Sequence, residues 1–555
     1  MVRATFSGFN TALSALQANQ KRLDITGQNL SNMNTAGYTR QQLEASSLNY
    51  TNPVSHYSNG NETAVGFGVS MDRVSQIRDP YLDIQYRSQS ADCSYTNRLQ
   101  TALNSLSKVL DETTISGIRK AFDEVQSTLT SMQDPAKVSD PIYESELRTK
   151  MQSVCNLFNQ ASRQITQAEQ NEFQRLTGEG SSEQGDVQKI NDILRQIGDL
   201  NVQIKRNQVA GHPSLELQDE RNLLLDELSG YIPVETRYYK DDAHSGNNAY
   251  DYDANGAVIG KKDWPDDLEV SMNYIDAQGK SQKLILVNGS DLGADGLTKN
   301  YGQLSVLNRD HQPAASVSDP ANISIKFEKA PSYQVNGQAA TDVYAELKGI
   351  HFEGGSLQAS LDMLQKKGTG NVINGSVDDV RGYQYYSEKL DQLADTFAKS
   401  MNASNNGNNH KDQNLLSNST DDSTNGITAG NIGISKGWTS GTIHISTDGT
   451  NRTDTILDMI AAMKDTKKLN GKTFADYMNN LSTQLASDSS SNQTALKTGT
   501  TVLNSIQDSR DSLSGVSLDE EATNMMAYVS AYNAASRLMT ALDEVLNTLI
   551  SNTGA

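Results

Sequence analysis

Two apolar stripes with a repeat of about 3.5 residues stand at opposite ends of this chain, and the long middle carries no such repeat. The first runs Phe6, Phe9, Leu13, Leu16, Leu23 and Leu30, interrupted only at Gln20 and Gly27. The second runs Met525, Tyr528, Tyr532, Ala535, Met539, Leu542, Leu546 and Leu549 without a polar break. Such a period keeps a stripe aimed at one partner helix along its whole length rather than at a broad core. The two ends are therefore expected to pair as a coiled coil, with each other or with further copies. That is the pattern of a chain built for stacking, and it points away from an enzyme.

Composition narrows the classes further. The chain has 555 residues with 47 Lys+Arg against 67 Asp+Glu, a net charge of -20. A surface this acidic repels phosphate backbones and anionic headgroups, so nucleic acid is not an expected partner. The mean hydropathy is -0.58. With an aromatic content of only 6%, the core is lean and an elongated, multidomain form is expected. Cys93 and Cys155 show no CxxC or metal-ligand spacing and are expected to be free thiols. No stretch approaches a membrane span, so membrane insertion is not expected, and the N-terminus lacks the apolar run of a cleavable signal.

Residues 1–33 read as one amphipathic helix ending in an asparagine-rich turn, Asn29-Leu30-Ser31-Asn32-Met33-Asn34-Thr35-Ala36-Gly37-Tyr38. Asparagine tolerates the left-handed region and Gly37 supplies a positive φ without steric cost. Val65-Gly66-Phe67-Gly68-Val69 reads as extended, and Asp79-Pro80 as a helix start. Residues 81–230 are mostly helical by periodicity. From 231 to 350 the period switches to two: Leu268, Val270, Met272 and Tyr274 alternate, Asp276-Ala277-Gln278-Gly279 turns, and Leu284–Val287 returns. Ile323, Ile325 and Phe327 give a further strand, with a turn at Asn336-Gly337. Helical patterning resumes at Gly354-Gly355-Ser356-Leu357, and the Asn/Ser/Asp-rich stretch 402–426 reads as an exposed loop. Ser517 can cap the last helix while Glu520 reaches back to it, a capping box at the positive helix end.

The expected fold class is mainly α with an inserted β domain. Three domains are expected: a terminal helical pair (1–60 with 506–555), a helical middle (61–230 with 351–505) and an outer β domain (231–350).

Catalytic and metal motifs are absent. His56, His212, His244, His311, His351, His410 and His444 are scattered singly, without HExxH. Asp251-Tyr252-Asp253-Ala254-Asn255-Gly256 matches the first half of a calcium loop, but Lys262 stands where the bidentate carboxylate belongs. A β-turn is the better reading. No cofactor, metal site or catalytic residue is expected.

The run Gly27-Gln28-Asn29-Leu30-Ser31-Asn32-Met33-Asn34-Thr35-Ala36-Gly37-Tyr38-Thr39-Arg40-Gln41 resembles the N-terminal signature of bacterial flagellar axial proteins. Ser514-Gly515-Val516-Ser517-Leu518-Asp519-Glu520-Glu521, followed by Ala531-Tyr532, resembles that family's other end in its hook-associated form. Arg78-Asp79-Pro80-Tyr81-Leu82-Asp83, Asp219–Leu228 and Gly354-Gly355-Ser356-Leu357 are similar to segments of hook–filament junction proteins. Ala36 departs from the proline frequent there, which removes a fixed φ from the turn.

The resemblance implies a structural role as a ring of subunits between the hook protein and the second junction protein. The implied assembly interface is the two stripes together with Asn29, Asn32, Asn34, Thr35, Gly37 and Tyr38, with Ser517 and Glu520 as the helix cap. It also implies extracellular placement at the junction and passage through the flagellar type III export apparatus without a cleaved signal. A cytoplasmic export chaperone would hold the C-terminal helix. The alternatives are another axial protein, either the second junction protein or a flagellin, and a secreted enzyme carrying flagellar ends.

Overall fold

The structure is a computed structural model. It describes residues 2–48, 68–110, 117–138, 140–178, 182–210, 212–240, 250–252, 258–261, 266–275, 280–290, 299–307, 324–328, 334–335, 338–339, 344–346, 351–373, 376–407, 412–446 and 453–553. Helix α1 (Val2–Asn32) leads through the asparagine turn into a hairpin, β1 (Gln41–Ser47) and β2 (Val69–Gln76), paired antiparallel from Gln41↔Gln76 to Ser47↔Val69. Helices α2 (Pro80–Leu110), α3 (Ile118–Ser131), α4 (Pro135–Val138), α5 (Pro141–Thr177), α6 (Asp186–Val209) and α7 (Leu215–Tyr231) follow. The boundary of α5 is written locally. Asp140 caps it by accepting from the amide of Ile142, Pro141 opens the first turn, and Gly178 at φ 77 ends it.

Strands β3 (Glu235–Lys240) to β13 (His351–Phe352) come next, and the long ones are β6 (Asp266–Ile275) and β7 (Ser281–Asn288). β6 is central in its sheet, with β7 along one side and β3 and β13 sharing the other. A second sheet has the order β12-β9-β8, with β8 at Gln303–Leu307, β9 at Ser324–Glu328 and β12 at Tyr344–Glu346. Leu268, Val270 and Met272 lie in the core, and Glu269 and Ser271 between them are buried as well. Leu284–Val287 does not alternate, because all four side chains are buried. The sheets are bolted to α6 by amides: Asn191 both donates to and accepts from the backbone of Leu304 (2.8 and 2.7 Å), as a strand partner would. Asn201 donates to the carbonyls of Leu268 and Gly289.

The chain returns through α8 (Ser356–Gln365), α9 (Tyr383–Asn406), α10 (Lys436–Ser440), α11 (Asp454–Lys464), α12 (Phe474–Ser514) and α13 (Leu518–Thr553), with two short strand pairs between, β14 (Val372–Ile373) with β15 (Ser376–Val377) and β16 (Leu416–Asn418) with β17 (Ile432–Ile434). One continuous apolar cluster joins the helices from α2 to α12 and the base of the sheets. At its centre, Phe122 lies 5.9, 5.1 and 5.5 Å from the rings of Phe158, Phe397 and Phe474. The fold is mainly α with small sheets, as the patterning predicts. Helix α12 runs unbroken through residue 505, so the sequence boundary drawn there falls inside a helix.

Stretch 402–426 is not simply an exposed loop. Helix α9 continues to Asn406, and Asn402 and Asn405 are buried. Asn402 accepts from the amides of Leu415 and Leu416 and donates to the Leu416 carbonyl. Asn405 donates to the carbonyls of Gln413 and His444 and accepts from Ser446. Composition suggested a solvated linker, but the amides serve as internal backbone partners. Val65–Phe67, the turns at 276–279 and 336–337, and Asp253, Asn255, Gly256 and Lys262 lie outside the described residues, while Asp251 and Val258 fall on the paired strands β4 (Tyr250–Tyr252) and β5 (Val258–Lys261). Cys93 and Cys155 are free and buried.

Candidate assembly site: the terminal pair and the joint beneath it

Helices α1 and α13 lie antiparallel along one another. A Cβ on Gly8 would sit 3.4 Å from the methyls of Leu542. The Arg22 guanidinium lies 5.6 Å from the centre of the Tyr528 ring. These contacts are two heptads apart on each helix. On α13, Ala535 is buried and Met525, Tyr528, Tyr532, Met539, Leu542 and Leu546 are half-buried, while Leu549 is exposed.

On α1 the buried stripe is offset from the apolar one. Ala12, Ala18, Asn19, Ile25, Thr26 and Asn29 are the buried set. Phe9, Leu16, Leu23 and Leu30 are only half-buried and Leu13 is 47% exposed. The helix is wedged between α13 and the β1–β2 hairpin, where the amide of Val69 donates to the Ser14 hydroxyl. Two close neighbours select small residues, and the larger leucines turn outward. Of Phe6, the side chain lies outside the described residues.

The asparagine turn holds the helix end to the first strand. Asn29 is buried, donates to the Gln41 carbonyl and accepts from the Gln41 amide, both at 3.0 Å. The Tyr38 hydroxyl also donates to it at 2.9 Å. Burial, with the charges of Asp219, Glu216 and Glu521, pushes the Tyr38 phenol far above its ordinary value, so it remains a donor. Asn32 accepts from Thr35, Gly37 adopts φ 79, and Asn34, Thr35 and Gly37 are exposed.

Below the turn lies a joint that the stripes do not announce. Thr39 donates from its amide (3.1 Å) and hydroxyl (2.6 Å) to Asp219 on α7. Burial raises the pKa of Asp219, and the Thr39 donors and Arg78 oppose that shift. Arg78 grips Asp83 with two nitrogens, at 2.5 and 3.1 Å. Burial works against ionisation of Asp83, yet Arg78, Arg510 and Arg87 hold its carboxyl below the usual carboxylate value. Arg510, in the last turn before α12 ends, reaches Asp83 at 2.8 Å and Asp226 at 2.6 Å. Arg87 meets Asp226 at 2.8 Å. Three arginines and three aspartates from three stretches of chain (78–87, 219–226 and 510) thus neutralise one another with little access to water.

The Glu520 arm of the expected capping box is corrected by this geometry. The Ser517 hydroxyl accepts from the Glu520 amide only at 3.5 Å, and the Glu520 carboxylate takes Arg40 at 2.7 Å instead of returning to its own helix. The guanidinium offers a charged partner, which outcompetes a backbone amide. Arg40 also holds Glu521 at 2.8 Å.

Gly354-Gly355 belongs to the same neighbourhood. Gly355, at φ 87, donates to the Ala91 carbonyl on α2, and a Cβ there would fall 2.4 Å from the Tyr231 oxygen at the end of α7. Every internal segment that carried the family resemblance therefore meets at or beside this joint.

The model of the flagella basal body rod protein family matches residues 9–39, which cover α1 and the turn. That of the flagellar basal body rod FlgEFG protein C-terminal region matches 509–552, which cover the end of α12 and α13. Residues 103–262 match the flagellar hook-associated protein FlgK helical domain. A flagellar hook-associated protein 1 from Bacillus subtilis is 29% identical over 568 aligned positions, 99% of both chains. The chain is similar along nearly its whole length to flagellar hook-associated protein 1.

The Escherichia coli relative of the same name is 28% identical over 229 positions, 41% of this chain and 39% of that protein. The solved flagellar hook junction protein FlgK from Burkholderia pseudomallei overlaps 61% of this chain and 45% of its own, with a TM-score of 0.38 and 17% identity. Among the described residues, no helix is long and apolar enough to cross a membrane and no group of side chains forms a metal site. The joint residues Arg40, Arg78, Asp83, Arg510 and Glu521 were not singled out in the sequence as site residues. Their signal was present as charged residues repeated inside otherwise apolar helical faces, such as Asp83 and Arg87 one turn apart on α2.

Proposed function

We infer that the protein is a structural, non-enzymatic component of the bacterial flagellum that joins the hook to the filament as a ring of copies. The observation that carries this reading is the full-length likeness to a hook-associated protein, with rod-family matches falling on the two helices that pair. The terminal helices act as a coiled coil and form the inner assembly layer, the helices from α2 to α12 a middle layer, and the sheets of 231–350 the outer decoration. Hook protein lies below and the second junction protein above. The stripe left open on α13 (Met526, Val529, Leu538, Val545 and Ile550, all exposed) is the surface offered to neighbours.

The same stripe suits a cytoplasmic chaperone that would shield it before passage through the type III apparatus to the cell exterior. Deleting the gene tests the assignment. Complete hooks with flagellin lost to the medium are expected, and normal filaments on the deletion strain would refute it. Leu538→Asp with Val545→Asp tests the stripe, because both residues face away from α1. Chaperone capture and filament attachment are expected to fail while the monomer stays folded, and retention of both would remove the stripe from the interface.

A further inference from the structure

We propose that Arg40 is a latch that sets the angle between the terminal helix pair and the helical body, and that it opens while both stay folded. Helix α12 stops at Ser514 and α13 starts at Leu518. The break is built in, since Gly515 is extended (φ -72, ψ 155) and a Cβ there would lie 2.4 Å from the Asp511 carbonyl oxygen. One residue grips both sides of this break. The Arg40 amide donates to the Ser514 oxygen at 2.9 Å, and its carbonyl accepts from Ile77. Its side chain crosses to the first turn of α13, with Nη1 to Glu520 at 2.7 Å and Nε to Glu521 at 2.8 Å.

The bolt below the break is of a different kind. Arg510 is held by Asp83 and Asp226, and all three side chains are at most 14% exposed. Pulling it away would strand buried charge. Arg40 is placed differently: its own side chain is 19% exposed, and of its two carboxylates only Glu521, at 3%, is buried. The Glu520 side chain is 62% exposed, so water competes for that arm. Glu521 borders a cavity of about 200 Å³, lined also by Arg22, Thr26, Asn29 and Tyr528, which has room for several water molecules. A released guanidinium and its carboxylates can both be hydrated in place. The upper contact therefore yields first, and the pair swings on Gly515 without unlocking the body. This holds whichever flagellar assembly the protein enters.

Spin labels on the full chain at Val529→Cys and Ile142→Cys, both surface positions, read the angle as a distance; the native thiols are buried. A single narrow distance is expected for the parent. Arg40→Ala should broaden it about twofold or more by populating other orientations. The body's thermal transition should stay within about 2 °C. Glu520→Gln, a change at an exposed side chain that leaves the fold intact, should broaden it less, and 1 M salt should broaden the parent by screening the exposed arm. A distance that stays narrow in Arg40→Ala overturns the latch. So does a body transition that collapses in that variant, which would make Arg40 a structural bolt. A Glu520→Gln distance unchanged at both low and high salt has the same force.

Discussion

The helical body and the terminal pair use the same kind of element in opposite ways. In the body, long helices bury whole faces, and Phe122, Phe158, Phe397 and Phe474 are sealed against one another. In the pair, the buried apolar side chains among the described residues are only Ala12, Ala18, Ile25 and Ala535, while Met526, Leu538, Val545 and Ile550 stand in solvent. Burial at about 25 cal/mol per Å² of apolar surface makes the first region stable in isolation and leaves the second short of partners. The difference separates what holds the monomer together from what is kept open for assembly. The charged joint between them transmits position without adding apolar area.

The largest expected effect lies in the body. Phe397→Ala should cost about 3–5 kcal/mol through lost transfer energy and a cavity, visible as a lower denaturation midpoint. A loss no greater than that of a surface change would mean that the ring cluster is not the keystone. Removing the bolt comes next. Arg510→Met leaves Asp83 and Asp226 with fewer cations and should cost about 2–4 kcal/mol, less than a lone buried pair because Arg78 and Arg87 remain.

Acid should strike the same place. The pKa of Asp83 is depressed in the folded state, so its contribution is complete above the ordinary value of 3.8 and is lost as pH falls through its folded value. Asp219 has the opposite sign: its raised pKa makes ionisation cost stability as pH rises through the carboxylate range. An Asp83→Asn variant, compared with the parent by denaturation between about pH 2 and 5, should be less stable at the top of that range and show a flatter acid loss. An unaltered slope would remove Asp83 from the acid response.

Smaller and opposite in sign is Ser214→Gly. Ser214 holds φ 54 ahead of α7 with a buried hydroxyl that has no partner. Glycine relieves that strain and should add about 1 kcal/mol, read as a higher melting temperature. The least effect on the monomer is expected on the pair's open face. Leu538→Ser with Val545→Ser should move stability by no more than about 0.5 kcal/mol per site. Assembly should nevertheless fail. A large monomer loss there would erase the distinction between the two regions.

Much of this was legible in the sequence because it is periodic. The 31-residue α1, the sharp start of α13, the switch to strands after Tyr231 and the hairpin β6–β7 all follow from local pattern and turn chemistry. The misreadings share one cause. Asn402 and Asn405 looked like linker residues, Glu520 like a self-capping residue, and Phe9 to Leu30 like the buried face. Each polar group found a partner far along the chain, and α1 rotated to fit two neighbours at once. Periodicity reports that a helix has an apolar face; it does not report how many surfaces press on it or how close they come.

The sequence by itself determined the kinds of element, their order, and that the two ends are helices of the flagellar axial type, because these depend on spacing a few residues apart. The tertiary structure decided which face of α1 is covered and that Arg40 bridges a helix break over four hundred residues away. It also brought Arg78, Asp83, Asp219, Asp226 and Arg510 into one neutralised knot. Charge pairing at a few ångströms depends on where distant backbone segments come to rest, and no local rule encodes that.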